Sequence, residues 1–342
     1  MRQILIALAL IWTGAGPALA RDAQSEMAAG AEWSQSFTEV QSLQVGLFGY
    51  ADMFANVFDA WDSGTISEED ARMQTSVLRA ALDRDRARVR AATEALPPPP
   101  RFRSLSALGP AYRTMYDSLT ESNQMIDELV ASVANQYEQL SSGESYDKTP
   151  LMEITMMSAR QFVIQQQAML RTLANQMPGS HPRMHDLFAS VSSYDGLLAA
   201  MDINRSILID GGWGDEDNEI QALRRSAQAV RTDVSAGLES LRTTRDTLRM
   251  SLGAGGQVGA MARDGLDIYS DYERTFDNHT EIASLLDGLA DALAVILDAG
   301  PGEQEDLDAV LIAVETTLVR FEALELANGQ LSQRRLDRLV GD

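Results

Sequence analysis

The chain has 342 residues, 50 acidic against 28 basic side chains for a formal net charge of −22, and no cysteine. That charge argues against nucleic acid or an anionic lipid surface as a partner. Without cysteine no disulfide is possible, so stability must come from burial, which a chain of this length can supply.

Met1 to Ala20 reads as a secretory signal: Arg2 at the start, a short apolar run from Ile4 to Trp12, the breaker Gly16-Pro17, and Ala18-Leu19-Ala20 as the cleavage site. The expected location after cleavage at Ala20 is periplasmic or secreted. Arg2 stands alone, which does not fit twin-arginine export, and the missing cysteine excludes lipid attachment. The greasiest later run, Leu289 to Leu297, has Asp287, Asp291 and Asp298 around it, so no integral membrane segment is expected.

Residues 21–32, small and polar, are expected to be a flexible lead-in. A first helix follows over 33–61, with Phe37, Val40, Leu47, Ala51, Phe54, Phe58 and Trp61 on one stripe. Asp62-Ser63-Gly64 turns the chain, and Ser67-Glu68-Glu69-Asp70 looks like a capping box opening a second helix to Leu96. Its inward face holds Leu78, Leu82, Val89, Ala92 and Leu96; its arginines from Arg79 to Arg90 face water or acids. Four prolines, Pro97 to Pro100, stop it. A third helix carries Leu108, Tyr112, Met115, Leu119, Ile126, Leu129 and Val133 on its seam and ends near Gly143. Thr149-Pro150 starts a fourth, running to Met177. A fifth runs from Pro182 to the Gly211-Gly212 break, with a seam of Met184, Leu187, Val191, Tyr194, Leu198 and Met201. A sixth follows to Leu252, with Ile220, Leu223, Val230, Val234, Leu241 and Leu248 inward. After Gly253-Ala254-Gly255-Gly256 a seventh reaches Ala299-Gly300-Pro301, and an eighth spans 303–339.

The fold class is therefore all-α, about eight long antiparallel helices. Pro100-Arg101-Phe102-Arg103-Ser104-Leu105 is echoed by Pro182-Arg183-Met184-His185-Asp186-Leu187, and a longer offset brings Tyr112 onto Tyr269 and Leu129 onto Leu286. The longer repeat suggests two related up-and-down four-helix bundles, over 33–178 and 179–340. The shorter one suggests hairpins stacked in series.

Three places offer chemistry. The stretch 59–70 resembles an EF-hand calcium loop, with Asp59, Asp62, Ser63, Thr65 and Asp70 as oxygen donors around Gly64; Trp61 occupies a ligand position, and a turn plus a helix cap explains the same residues. His181 and His185 sit four apart, a spacing that can hold a metal, although Pro182 places His181 ahead of the helix. Tyr269, Tyr272 and His279 share a seam with Phe276, Ile282 and Leu286 and mark a possible interhelical ligand pocket, or else a core histidine bonded to a neighbour. Ser158 to Gln167 resembles, at Arg160, Gln161 and Gln166, the Gly-Arg-Gln motif of the periplasmic helical sensor domains of type IV pilus chemotaxis transducers. Ala159, Phe162 and Gln167 differ, and a polar helix face accounts for the segment.

There is no phosphate loop, haem-attachment motif, nucleophile elbow or zinc-protease motif, so no catalytic residue and no enzyme activity are expected. The expected function is an exported, non-catalytic helical interaction or scaffold module whose partner is another envelope protein. The alternatives are a periplasmic solute-binding or sensor-like module using Tyr269, Tyr272 and His279, and a calcium-dependent envelope protein using the 59–70 loop, calcium being the one cofactor considered.

Overall fold

A computed structural model describes residues 17–103, 106–142, 149–175, 181–210, 216–252, 256–298 and 304–340. Residues 1–16 of the expected leader, and the breaks at Gly143, Gly179, Gly211-Gly212, Gly253-Gly255 and Gly300, lie outside them. The described residues form eight α-helices and no strand: α1 Pro17–Asp62, α2 Glu68–Ala95, α3 Gly109–Ser142, α4 Thr149–Ala174, α5 Pro182–Asp210, α6 Glu216–Ser251, α7 Gly256–Asp298 and α8 Gln304–Val340. A single 3₁₀ turn, Ser106–Leu108, precedes α3. None of the helices is long and apolar enough to cross a membrane.

One boundary differs by more than a turn. α1 is helical through 21–32, where a flexible lead-in was expected. Composition favours the helix: Ala23, Gln24, Glu26, Met27, Ala28 and Ala29 are good helix formers. Gly30 is the exception in that run, and it is buried. A Cβ there would lie 2.8 Å from the Tyr112 hydroxyl and 3.2 Å from the Phe102 ring, so the missing side chain lets those rings approach α1.

The helices sort into two compact units, one of residues 28–102 and 112–165, the other of 1–27, 103–111 and 166–342. The division crosses α1, α3 and α4. In the first unit the core joins Leu47, Ala51, Phe54 and Phe58 of α1 to Leu82 and Val89 of α2 and to Ile126, Leu129 and Val133 of α3. Each of these side chains except Ala51 contributes roughly 1.5–3 kcal/mol by leaving water. Gln44 fills the polar position between Val40 and Leu47 on the α1 stripe and donates to the Leu119 carbonyl (3.3 Å) and to Asn123 Oδ1 (3.0 Å). On the surface of this unit Arg86 and Arg90 of α2 both reach the Asp127 carboxylate.

In the second unit α6 packs on α5 and α7, α7 on α8, and α5 also meets α7 and α8. Its core holds Leu223, Val230 and Val234 of α6, Phe276, Ile282, Leu286 and Leu293 of α7, and Val310, Val314 and Phe321 of α8. α5 packs in part differently from the expectation. Leu187 and Val191 of the expected seam are buried, with Ile203 and Ile207 beyond them, but the buried face also takes in Arg183, Asp186, Ser190, Ser193, Gly196, Ala199 and Ala200, while Met184, Tyr194, Leu198 and Met201 are only partly covered. Small side chains on this line allow close approach. At Gly196 a Cβ would stand 2.5 Å from Leu286 Cδ1. Apolar periodicity cannot register a face made of serine, glycine and alanine.

Candidate functional site

Among the described residues the two largest fully buried side chains are arginines, Arg183 and Arg335. Arg183 stands in the first turn of α5, one turn before Asp186. Its Nη1 donates to Asp186 Oδ2 with both side chains out of water. Arg335, near the end of α8, sends Nη2 to the same oxygen at 3.4 Å and to Ser332 Oγ at 2.7 Å. Its Nη1 donates to Thr275 Oγ1 at 2.8 Å and to the Asp271 carbonyl at 3.2 Å. The guanidinium lies over the Tyr272 ring, 4.1 Å from the centroid, a cation–π contact strengthened by desolvation. On the other side of Asp186, Oδ1 is 3.1 Å from His279 Nε2. One aspartate thus joins α5, α7 and α8.

Two shells of polar groups extend the cluster. Asp271, itself buried, is met by Arg338 at 2.8 Å and Arg334 at 3.6 Å, both partly exposed. Along α8, Asn278 donates to Asn328 (2.8 Å), Asn328 to Glu325 (3.4 Å), and the Tyr194 hydroxyl to Glu325 (3.3 Å). Three buried atoms of the central group, the Tyr272 hydroxyl, His279 Nδ1 and Arg335 Nε, have no hydrogen-bond partner among the described residues. Each such atom costs about 1–3 kcal/mol. A cluster with this many unmet atoms is a poor source of stability and a good source of register, since only one alignment of the three helices brings the charges together.

The electrostatics follow from burial and neighbours. For Asp186, burial alone would push the carboxyl up, but Arg183, the His279 hydrogen bond and Arg335 outweigh it and hold the group well below the usual carboxylate range. Tyr272 is pushed up to about 12 by burial, against the pull of both arginines, and stays a neutral phenol. Asp233 on α6 is raised to about 6 by burial, partly offset by His279 and a Ser192 hydrogen bond, and Glu325 is raised for the same main reason.

These shifts have opposite consequences for stability. A carboxyl held low in the fold contributes stability above its unfolded pKa, and Asp186 loses that contribution only in strong acid. A carboxyl held high works the other way: between its unfolded value and about 6, Asp233 keeps its proton in the fold and loses it when unfolded, so stability falls as pH rises through that window. Relief of repulsion in a chain of net charge −22 adds in the same direction. His181, held down at about 4 by burial, acts in the opposite direction over pH 4–6.5, so the Asp233 contribution is read as a difference between variants. The melting temperature of Asp233→Asn is expected to rise relative to the wild type as pH goes from 5 to 7; thermal melts across pH 4.5–8 check this, and a difference that stays constant or falls would contradict it.

Of the residues singled out from sequence, Tyr272 and His279 lie in this cluster. Tyr269 is half-buried at its edge, its ring 6.4 Å from that of Tyr272. His279 sits in a seam where Phe276, Ile282 and Leu286 are also buried. His181 Nδ1 accepts the Arg183 backbone N–H at 3.1 Å, and burial, with Arg183 nearby, lowers its pKa to about 4, so the ring is a neutral helix-start acceptor. His185 is half-buried and also lowered by burial.

The residues of the 59–70 stretch form the α1–α2 turn. Gly64 takes a positive φ of 71°, Ser63 Oγ and Thr65 Oγ1 are 2.9 Å apart, and Ser67 caps α2 by accepting the Asp70 N–H. The Asp70 carboxylate accepts the Ser67 hydroxyl at 2.6 Å, a side-chain pairing in place of the backbone N–H that a full capping box would engage. Among the described residues, no three His, Asp or Glu side chains converge as a metal cage.

Arg183, Asp186 and Arg335 went unread in the sequence. Arg183 and Asp186 entered only as part of the phrase that echoes Pro100 to Leu105, and Arg335 carried no local signal. No protein-family model, curated protein or solved structure matches this chain. What it does must be argued from its own geometry.

Proposed function

We propose that the protein is an exported, non-catalytic interaction module of the cell envelope, presenting a long helix face to another protein. The observation that carries this reading is on α8. Opposite its buried seam, Ile312, Val319 and Leu326 are each about two-thirds exposed, at 64%, 69% and 65%. They recur every seven residues, and exposed Thr316 and Ala323 fill the spacing between them, giving the 4-3-4-3 step of a helix–helix seam. Three large aliphatic side chains in register on a water-facing surface are a cost unless something covers them. The ionic cluster supports the same reading as a register device: its charged groups bond to each other and to Tyr272, Thr275 and Ser332, so the interior aligns the helices that display the outer face. The leader-like residues Met1 to Ala20 support the envelope as its location.

A photo-crosslinking side chain at Val319, in cells, tests the reading. It is expected to yield a discrete adduct with another protein in the envelope fraction, whereas the same group at Glu239, on the exposed face of α6, yields none. No adduct at Val319, or equal labelling at both positions, would overturn the reading.

A further inference from the structure

We infer that the outward line of α8 binds a helix of a different protein, one with an apolar seam and basic residues along one flank. This rests on the interaction reading above and names the chemistry of its partner. Beside Ile312, Val319 and Leu326 runs a second line with the same seven-residue step: Asp308, Glu315 and Glu322, each seven residues from the next. Each acid stands four residues ahead of one aliphatic side chain, so the two lines lie on one face, about 40° apart around the axis. All three acids are exposed. An apolar line with charge beside it at the same repeat is how one helix selects another.

The chain does not neutralise these acids itself. Several surface carboxylates are already paired, Asp127 with Arg86 and Arg90, Glu273 with Arg245, Asp287 with Arg231. Asp308, Glu315 and Glu322 have no ion-pair partner among the described residues. The basic side chains near the line stand off this flank. Arg320 lies on the opposite side and donates through Nε and Nη2 to Glu281 of α7. Arg274, seven residues before Glu281, is exposed on that same side. Past the acid flank comes α5, joined to α8 there by the Tyr194–Glu325 hydrogen bond, and its Arg205 is bonded to Asp210 at 3.2 Å. At the far end of the line Arg334 turns to Asp271 at 3.6 Å.

The two flanks of the line thus differ in sign. A helix basic on both sides would set its charges against Arg320 and Arg274, and an acidic one would meet the three carboxylates. A helix basic on one side and neutral on the other covers the aliphatic line with no like charges in contact. Exposed ion pairs are worth little singly, so the apolar line supplies the contact, and the acids choose the partner and its rotation.

Two labelled synthetic peptides of three heptads test this. Each has leucine on its seam and glutamine on one flank; the other flank is lysine in the first and glutamate in the second. Read by fluorescence anisotropy against the whole protein, the lysine peptide is expected to bind, more weakly as salt is raised, and the glutamate peptide not to bind. Val319→Glu separates docking from general attraction to a chain of net charge −22. Attraction alone would strengthen with the added acid, whereas docking should weaken roughly tenfold or more, because a carboxylate enters the apolar seam. Glu315→Lys combined with Glu322→Lys should exchange the preference, so that the glutamate peptide binds and the lysine peptide does not. All three positions are exposed, so helicity by circular dichroism should match the wild type. Equal binding of both peptides, binding of neither, or lysine-peptide binding unmoved by Val319→Glu would overturn the inference. So would sedimentation showing that the protein associates with itself and that Val319→Glu abolishes this, since the occupant is then a second copy. If Val319 still crosslinks to a different protein in cells, the interaction reading survives and only the partner's basic flank falls.

Discussion

Asp186→Ala is expected to destabilise the protein by about 3–5 kcal/mol, a large share of the roughly 5–15 kcal/mol that holds a folded domain together. The size follows from what is left behind. Arg183 and Arg335 have no exposed surface, and both donate to the lost carboxylate. Without it two guanidinium groups remain buried with no anion between them, and His279 Nε2 loses its partner as well. Surface pairs on the same unit, such as Arg224–Asp291, lie in water and are worth about 0–1 kcal/mol each. Urea unfolding of Asp186→Ala beside Arg224→Ala separates the two classes. A loss below 1 kcal/mol at Asp186 would mean the arginines are not held by it. Replacing all the central charges by apolar groups of similar size should cost far less than removing one, because it leaves no unpaired ion.

The second large effect comes from a glycine with opposed forces acting on it. In an exposed helix interior, Gly→Ala stabilises by about 1 kcal/mol. At Gly237 on α6, a Cβ would stand 2.2 Å from Cζ of Phe276 and 2.6 Å from Cε1. Phe276 is fully buried, so its ring has no free direction to move. Overpacking of this kind costs about 1–3 kcal/mol and displaces the backbone, so the collision should exceed the propensity gain. Gly237→Ala is expected to destabilise by about 1–2 kcal/mol. Gly46→Ala on α1, where a Cβ meets nothing within 4 Å, should stabilise by up to about 1 kcal/mol. Equal and stabilising shifts at both positions, read from thermal melts, would show that α6 and α7 are not in contact there.

The fold was legible where large apolar side chains recur at helical spacing. Phe37, Val40, Leu47, Ala51, Phe54 and Phe58 are buried as their stripe requires, and Ser67-Glu68-Glu69-Asp70 caps α2. Legibility failed where burial is not hydrophobic. The inward face of α5 keeps Leu187 and Val191 of the expected seam but also runs through arginine, aspartate, serine, glycine and alanine, so the apolar pattern pointed as well to Met184, Tyr194 and Leu198, which are only partly covered. The site was half legible for the same reason. His279 and Tyr272 stood out because they interrupt an apolar seam, whereas Arg183 and Arg335 look like solvated charges until the neighbouring helices are placed. Arg335 and Asp186 are 149 residues apart, and no local spacing connects them.

The central claim is that the outward helix face does the work and the buried ions only align it. The most direct measurement combines Arg183→Met, Asp186→Leu, His279→Leu and Arg335→Met in one chain and repeats the Val319 crosslinking in cells. The account predicts an unchanged adduct from a protein of unchanged helicity. A well-folded, fully helical variant that no longer forms the adduct would assign the interaction to the ionic cluster itself and contradict the account.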